Sequence, residues 1–240
     1  MNKKNIDKFD EAYLGLICHR GFHNEKATEN GLKAFQNAID MGLPFELDIH
    51  ITKDKKLVVC HDSQLKRTTS KEGIIEDLTL EEIRNNYRLL DGSQIPTFDE
   101  VLSLNDGRSL IVVELKVYNR NYKELAKATN EVLLKIKDKK SLVLISFDPR
   151  ALIRVKKSGF PTGLLICKSH YYVWMTRYLF DSVDIEECLL KDKKVQRYRK
   201  KHLVNVWTIE KQEDLDSVLD FADAYTFQGF IPKNLKKKEN

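Results

Sequence analysis

The sequence predicts an α/β fold, a (β/α)8 TIM barrel in which eight parallel strands form a closed cylinder surrounded by helices. Short apolar runs alternate with helical patterns along the chain, and this alternation is typical of a parallel sheet. Eight such units fit within 240 residues, a typical length for a closed barrel. The alternative is an open doubly wound sheet, but the first strand is not followed by the Gly-x-Gly-x-x-Gly motif of a dinucleotide site.

The individual elements follow from local signals in chain order. Apolar runs predict strands at 14–18, 45–50, 110–116, 142–147, 163–167, 183–185, 203–208 and 222–227. Capping boxes, in which Thr79 precedes Glu82 and Thr97 precedes Glu100, mark two helix starts. The helices predicted between the strands span 31–41, 97–105, 121–137, 149–158, 170–180, 187–201 and 211–220.

One segment departs from this alternation, because the apolar runs 45–52 and 57–61 are separated by only four residues. A parallel crossover needs about a dozen residues or more, so these runs are predicted to form an antiparallel hairpin. A turn centred on the middle of the connection would place Asp48 opposite His61. Residues 51–95 would then form a small insertion over the barrel mouth, after the second strand.

The composition is that of an ordinary globular protein, with 42% hydrophobic and 32% charged residues, and predicts a single domain over 1–240. The net charge of +5 comes from scattered basic residues, so we expect no nucleic-acid partner. No apolar run approaches the roughly 18 residues that span a bilayer, and residues 1–13 lack the apolar core of a secretory signal. The Lys-rich stretch 233–238 is expected to be a solvated terminus.

The cysteines indicate a reducing compartment. They lie far apart and form no Cys-x-x-Cys pair, so neither a zinc site nor a disulfide framework is expected. The four are Cys18, Cys60, Cys167 and Cys188. We therefore expect a cytoplasmic protein without stable membrane insertion, and no feature of the sequence selects an oligomeric state.

Three carboxylates are expected at the barrel mouth, where the carboxyl ends of the strands meet. Glu46 and Asp48 are two residues apart and so share one face of the second strand. On the next strand, Glu114 shares a face with Lys116. Buried carboxylates are costly unless a cation balances them. The cation would be Ca²⁺ or Mg²⁺, which prefer oxygen ligands, or else Glu114 forms a buried ion pair with Lys116 or Arg20.

Two histidines, His19 and His61, also end apolar runs at this mouth. Paired histidines beside a metal indicate acid–base catalysis on a leaving oxygen. Arg20 and Lys116 would stabilise negative charge, and the planar guanidinium of arginine suits phosphate especially well. The sequence therefore predicts metal-assisted phosphoryl transfer.

Two further side chains are placed by the same strand pattern. Trp207 lies near the end of its strand and is a candidate for the pocket wall. His50 shares the face of Asp48 but lies further along the hairpin, so we expect it at the rim of the mouth rather than among the ligands.

With these residues placed, the chain resembles the glycerophosphodiester phosphodiesterase family, which is related in architecture to the phosphatidylinositol phospholipases. The resemblance covers nearly the whole chain in the order typical of the family. Its motifs are His19-Arg20-Gly21, Glu29-Asn30, Ala34-Phe35, Glu46-x-Asp48, Thr52-x-Asp54, His61-Asp62, Leu65, Arg67-Thr68-Thr69, Gly73, Ile95-Pro96-Thr97, Glu114-x-Lys116, Ser146-Phe147-Asp148 and Trp207-Thr208.

The resemblance implies a role for each candidate residue. His19 and His61 would be the general acid and base, in either order, while Arg20 and Lys116 would bind the substrate phosphate. The metal ligands would be Glu46, Asp48 and Glu114. The implied reaction is metal-dependent hydrolysis of small glycerophosphodiesters to sn-glycerol 3-phosphate and an alcohol. The attacking group would be either water or the glycerol 2-hydroxyl, the latter through a cyclic phosphate.

Some positions depart from the family pattern. The last strand ends in Phe227-Gln228 where Thr-Asp is common, and Gly31 replaces a usual Thr. An acidic residue or Asn often follows Trp-Thr-Val in the family, and here Glu210 follows Ile209. These departures bear on substrate preference more than on catalysis. The alternative function is a phospholipase D-like phosphodiesterase acting on intact (lyso)phospholipid, but the charged insertion disfavours an apolar docking surface.

Overall fold

Eight parallel strands close into a barrel in the computed structural model, which describes residues 3–233. All but the first residue of the basic stretch 233–238 lie outside the described residues. The strands are β1 Leu16–Cys18, β2 Phe45–Ile51, β3 Leu57–Val59, β4 Ile111–Leu115, β5 Leu142–Ser146, β6 Thr162–Ile166, β7 Ser182–Glu186, β8 Leu203–Ile209 and β9 Ala224–Phe227. The barrel order is β1-β2-β4-β5-β6-β7-β8-β9, with β9 returning to pair with β1. The predicted TIM barrel is confirmed.

Helices connect the barrel strands as expected, and both predicted capping boxes form, with Thr79 and Thr97 as the caps. The α-helices are α1 Leu32–Asp40, α2 Lys66–Thr69, α3 Leu80–Asn86, α4 Phe98–Asn105, α5 Tyr122–Leu133, α6 Pro149–Val155, α7 Glu187–Leu190, α8 Lys193–Arg199 and α9 Gln212–Val218. The segment Lys168–Leu179 holds two short 3₁₀ helices that meet at a kink at His170. The helix predicted over 187–201 is divided into α7 and α8. Among residues 3–233, no helix has both the length and the apolar character to cross a membrane.

The predicted hairpin forms between β2 and β3, but the predicted pairing of Asp48 with His61 is wrong by one residue. Ile49 lies opposite Val59, and the Cys60 amide donates to the Asp48 carbonyl at 3.0 Å. The turn holds three residues rather than two, because Lys55 takes a left-handed conformation with φ 66°. His61 nevertheless lies at the end of the hairpin and lines the pocket described below.

The residues between β2 and α4 build a small apolar cluster of their own, made of Val58, Cys60, Leu65, Ile75, Ile83, Tyr87, Leu89 and Ile95. His50 contacts both this segment and the hairpin and is buried. It also lines the surface groove beside His61 and Lys116, so its place at the rim stays a prediction. Its Nδ1 lies 2.7 Å from Glu76 Oε1 and its Nε2 lies 3.1 Å from the His61 carbonyl. The assignment of 51–95 as an insertion within one domain stays a prediction.

The end of the barrel away from the mouth is closed by the N-terminal segment. Phe9 and Tyr13 stack at 4.7 Å between ring centroids and join an apolar cluster with side chains from inside the barrel. Lys8 Nζ lies 2.7 Å from Asp181 Oδ1. The Tyr13 hydroxyl donates to Asp184 Oδ1 at 3.0 Å, which places a carboxyl group in the barrel interior.

The buried Asp184 makes stability depend on pH. Burial raises its pKa to about 6, although the nearby Asn205 amide and the hydrogen bond from Tyr13 oppose the rise. The native state therefore holds this proton more tightly than the unfolded chain, so the free energy of unfolding should fall as pH rises from about 4 through 6. The rise in pKa corresponds to about 3 kcal/mol. We expect Asp184→Asn to flatten this slope in urea unfolding, whereas Asp220→Asn, at an exposed position, should not; equal slopes would contradict the assignment.

Candidate active site

A pocket opens among the carboxyl ends of the strands. It is lined by six of the predicted site residues, His19, Arg20, Glu46, His61, Glu114 and Trp207, together with Ile145, Phe147, Leu165, Asn205, Thr208 and Thr226. The two other predicted residues adjoin these, since Asp48 is buried beside Glu114 and Lys116 lies against both. The structure thus brings all eight predicted side chains together.

The three carboxylates meet because two neighbouring strands hold them in register. Asp48 of β2 lies directly opposite Glu114 of β4, and Glu46 is one pleat earlier on the same face of β2. All three are buried, and each offers one oxygen such that these atoms lie within 4.8 Å of one another. Three hard oxygen donors at this spacing could hold a divalent metal ion.

The electrostatics of these carboxylates favour a bound cation. Burial, and then the charge of Asp48, raises the pKa of Glu46 well above its usual range. Burial likewise raises the pKa of Glu114, to about 7. Burial also acts to raise the pKa of Asp48, but neighbouring cations, Lys116 first, outweigh it and hold this pKa well below its usual range. Asp48 Oδ1 is buried without a hydrogen-bond partner among the described residues, so the donor set fits a metal ion.

Two cations border the carboxylates. Lys116 Nζ lies 3.0 Å from Glu114 Oε1 and 3.5 Å from Asp48 Oδ1, so the ion pair expected as an alternative for Glu114 is present. Arg20 Nε lies 3.6 Å from Asp48 Oδ2, and the Arg20 amide donates to Glu46 Oε2 at 3.0 Å. Both cations sit beside the pocket in positions to meet an anionic substrate.

The backbone that carries Arg20 requires glycine at the next position. Arg20 and Gly21 both have positive φ, 55° and 79°. A Cβ atom at Gly21 would lie 2.8 Å from the backbone of Ala34. This close approach holds the loop after β1 against α1 and so fixes the direction of the Arg20 side chain.

Replacing Gly21 by alanine should therefore lower both stability and activity. A left-handed conformation costs about 1–2 kcal/mol for a residue with a Cβ atom, and the clash with Ala34 adds to this cost. Gly92→Ala is the matched control, because Gly92 has φ 82° but no atom within 4 Å of the added Cβ. In thermal unfolding, the Gly21 variant should show the larger fall in Tm; equal falls would contradict the packing argument.

Each of the two histidines has its Nδ1 in a hydrogen bond, while its Nε2 makes none among residues 3–233. His19 Nδ1 lies 2.6 Å from Gln228 Oε1, and its Nε2 is 4.0 Å from Glu46 Oε2. His61 Nδ1 lies 2.6 Å from Asp62 Oδ1. Burial, followed by the charge of Arg20, lowers the pKa of His19 to about 4, and burial lowers the pKa of His61 as well.

A chain of ion pairs behind the pocket was not foreseen from the sequence. Arg67 of α2 donates to both oxygens of Glu29, at 2.7 and 2.8 Å, and to Asp62 at 2.6 Å. Glu29 in turn accepts from Arg20 at 2.9 Å. Arg67 thereby connects the carboxylate that contacts His61 with the Arg20 guanidinium beside Asp48. The signal in the sequence that could have indicated a role for Arg67 is the Arg-Thr-Thr motif that follows His61-Asp62.

Asn30 is a second residue that sequence reasoning left without a role. Its side-chain amide donates to Asp48 Oδ2 at 2.8 Å, while its Oδ1 accepts from the Asp48 amide at 3.2 Å. These bonds fix the Asp48 carboxylate. On the opposite side, Trp207 packs edge-on against Phe147 with ring centroids 5.6 Å apart, so Trp207 lies in the pocket wall.

Comparison with known proteins agrees with this geometry. The sequence profile of the Glycerophosphoryl diester phosphodiesterase family matches residues 19–229. A glycerophosphodiester phosphodiesterase of Caldanaerobacter subterraneus subsp. tengcongensis is 29% identical over 221 residues, which cover 85% of this chain and 89% of that protein. The lysophospholipase D GDPD1 of Homo sapiens is 49% identical over 63 residues, 26% of this chain and 20% of that protein.

The fold is shared with a solved phosphodiesterase of Oleispira antarctica in complex with the product sn-glycerol-3-phosphate. The two chains superpose with a TM-score of 0.79 at 22% identity, over 89% of this chain and 92% of the other. The family match spans both histidines, all three carboxylates and the two cations. The chain therefore belongs to the glycerophosphoryl diester phosphodiesterase family and is a phosphoric diester hydrolase, as its motifs predicted.

Proposed function

We propose that the protein hydrolyses small glycerophosphodiesters to sn-glycerol 3-phosphate and an alcohol, in a metal-dependent reaction with two-histidine acid–base catalysis. The observation that carries the proposal is the meeting of His19, His61 and a buried carboxylate trio in one pocket. The product-bound relative from Oleispira antarctica supports sn-glycerol 3-phosphate as the product.

Glu46, Asp48 and Glu114 would hold the metal ion, Ca²⁺ or Mg²⁺, because their oxygens are the donors that these hard cations prefer. When bound, the ion would supply positive charge to a phosphate oxygen. Arg20 and Lys116 would bind the same phosphate, since both lie within 3.6 Å of the carboxylates that define the metal site.

The partners of the two histidines suggest which is the acid. Asp62 places a carboxylate on His61 Nδ1, and a carboxylate stabilises the protonated imidazole that must donate to the leaving alcohol. His19 has only a neutral amide on its Nδ1, which suits the base. His19 would then take a proton from water or from the glycerol 2-hydroxyl. In the second case water would open the cyclic phosphate with the two roles exchanged.

The test is release of glycerol 3-phosphate from glycerophosphocholine and glycerophosphoethanolamine, with Ca²⁺, with Mg²⁺ and with a chelator. We expect release with at least one metal and loss of release with the chelator. Release that persists in the chelator would contradict the metal dependence. No release from folded protein under any condition would contradict the substrate class.

A second candidate substrate is an intact lysophospholipid. Tyr172 lies in the groove that adjoins the pocket and is 73% exposed, and Met175 on the same segment is 80% exposed. Such side chains could contact an acyl chain, and part of the sequence resembles a lysophospholipase D. An assay with lysophosphatidylcholine tests this second substrate. Choline release from lysophosphatidylcholine, without turnover of the two glycerophosphodiesters, would favour it.

We also propose a cytoplasmic location. All four cysteines, which lie within the described residues, are free, and free thiols are typical of reducing compartments. Fractionation of the source cells with an antibody against the protein tests this assignment, and recovery outside the cytoplasm would contradict it.

A further inference from the structure

The side chains of Glu210 and Gln228, the latter at a position that departs from the family pattern, form a row of hydrogen bonds that ends on His19. Gln228 follows β9 and Glu210 follows β8, so the two side chains project from neighbouring strand ends. The Gln228 amide nitrogen donates to Glu210 Oε1 at 2.9 Å, and Gln228 Oε1 lies 2.6 Å from His19 Nδ1. The Gln228 backbone amide also donates to the Ile209 carbonyl at 3.0 Å, which holds the two strand ends together.

The chemistry of the donors and acceptors allows only one direction for the hydrogen bonds between Glu210, Gln228 and His19. A carboxylate only accepts hydrogen bonds, so Glu210 must face the NH₂ group of Gln228. The amide oxygen of Gln228 must then face His19. Because an amide oxygen only accepts, His19 Nδ1 must carry its proton, and in the neutral ring Nε2 is left with a free lone pair.

That lone pair is directed toward the reacting groups. His19 Nε2 lies on the Glu46 side of the ring, 4.0 Å from Glu46 Oε2, and His19 lines the pocket. The other tautomer would place an N–H at this position and could not accept a proton from a nucleophile. Fixing the tautomer is thus a requirement for the base role proposed above.

We propose that Gln228, oriented by Glu210, is a positioning residue that holds His19 as the Nδ1–H tautomer. The effect on catalysis rests on the proposed function, in which His19 is the base. The assignment of the tautomer rests only on the hydrogen bonds. The Gln228 amide lies between the Glu210 carboxylate and the His19 imidazole. The direction of both hydrogen bonds therefore depends on Glu210 and Gln228 together.

The test uses three variants and one control of the full chain. Gln228→Met keeps the side-chain length but removes both hydrogen bonds. Glu210→Gln removes only the group that orients the amide. The double variant Glu210→Gln/Gln228→Glu exchanges the two side chains, so that the amide at 210 donates to the carboxylate at 228, which again accepts from His19. Gln36→Met is the control, because Gln36 also bonds a carboxylate, Asp40, but lies on α1 away from His19.

The first readout is the tautomer itself, measured by ¹⁵N NMR on histidine-labelled protein at a pH where the ring is neutral. The His19 signals are assigned by their loss in His19→Ala. We expect Nδ1–H in the native protein, a mixture of tautomers in the Gln228→Met and Glu210→Gln variants, and Nδ1–H again in the exchanged pair. An Nε2–H ring in the native protein, or an unchanged ring in Gln228→Met, would overturn the proposal whether or not the protein hydrolyses glycerophosphodiesters.

The second readout separates positioning from folding. We expect Gln228→Met to lower kcat by roughly 10–100-fold with little change in KM, because a wrong tautomer removes part of the acid–base contribution. Glu210→Gln should give a smaller loss, the exchanged pair should recover most of kcat, and Gln36→Met should match the native protein. If the exchanged pair stays as slow as Gln228→Met although its tautomer is restored, the catalytic part of the proposal is wrong.

Discussion

Replacing His19 by alanine is expected to lower kcat for glycerol 3-phosphate release by roughly 10²–10⁴-fold, the usual contribution of a positioned acid or base. His19 lines the pocket with its Nε2 4.0 Å from Glu46 Oε2, while its Nδ1 is hydrogen-bonded to Gln228. The substitution removes the proposed proton acceptor and leaves the three proposed metal ligands in place. Turnover should therefore fall while Ca²⁺ or Mg²⁺ affinity, measured by calorimetry, stays close to that of the native protein.

The control for this prediction is His202→Ala. His202 lies far from the pocket, where it stacks on Tyr198 with ring centroids 4.2 Å apart. This variant should keep its turnover even if the lost stacking lowers Tm. Circular dichroism and thermal unfolding show whether the His19 variant is folded. Normal turnover in folded His19→Ala protein would exclude His19 from the acid–base pair.

The placement of the carboxylates could be predicted because strand geometry alone determines it. A period of two residues puts Glu46 and Asp48 on one face, and parallel pairing of adjacent strands brings Glu114 level with Asp48. No side-chain conformation enters this reasoning. The barrel order and the meeting of the carboxyl ends therefore suffice to predict the trio.

The remaining parts of the site depend on turns and side-chain conformations, which sequence patterns do not determine. The left-handed Lys55 adds one residue to the hairpin turn and shifts the predicted register. Arg67 reaches from α2 to both Glu29 and Asp62, and this bridge depends on how the segment after β3 packs. The contact of His19 with Gln228 joins residues 209 positions apart, so only the closed barrel reveals that Gln228 bears on catalysis.

The second large effect is expected for Glu114→Gln, which should weaken divalent-metal binding by at least roughly 100-fold and lower activity with it. Loss of groups that merely orient metal ligands costs 10–100-fold, and Glu114 would be a ligand itself. The amide keeps the volume of the carboxylate and can still accept a hydrogen bond from Lys116. Isothermal titration with Ca²⁺ and with Mg²⁺ measures the change, and Glu124→Gln on the exposed face of α5 is the matched control.

This variant also separates a metal site from a simple ion pair, because the two roles predict opposite effects on stability without metal. Burial and the neighbouring carboxylate Asp48 both raise the pKa of Glu114, although Lys116 opposes them. If Glu114 serves chiefly as a metal ligand, removing its charge should relieve this repulsion, so Tm in chelator should hold or rise while the increase in Tm on adding metal is lost. If Glu114 serves chiefly to balance Lys116, Tm in chelator should fall and the metal titration should be unchanged, and Glu114 would then leave the metal site.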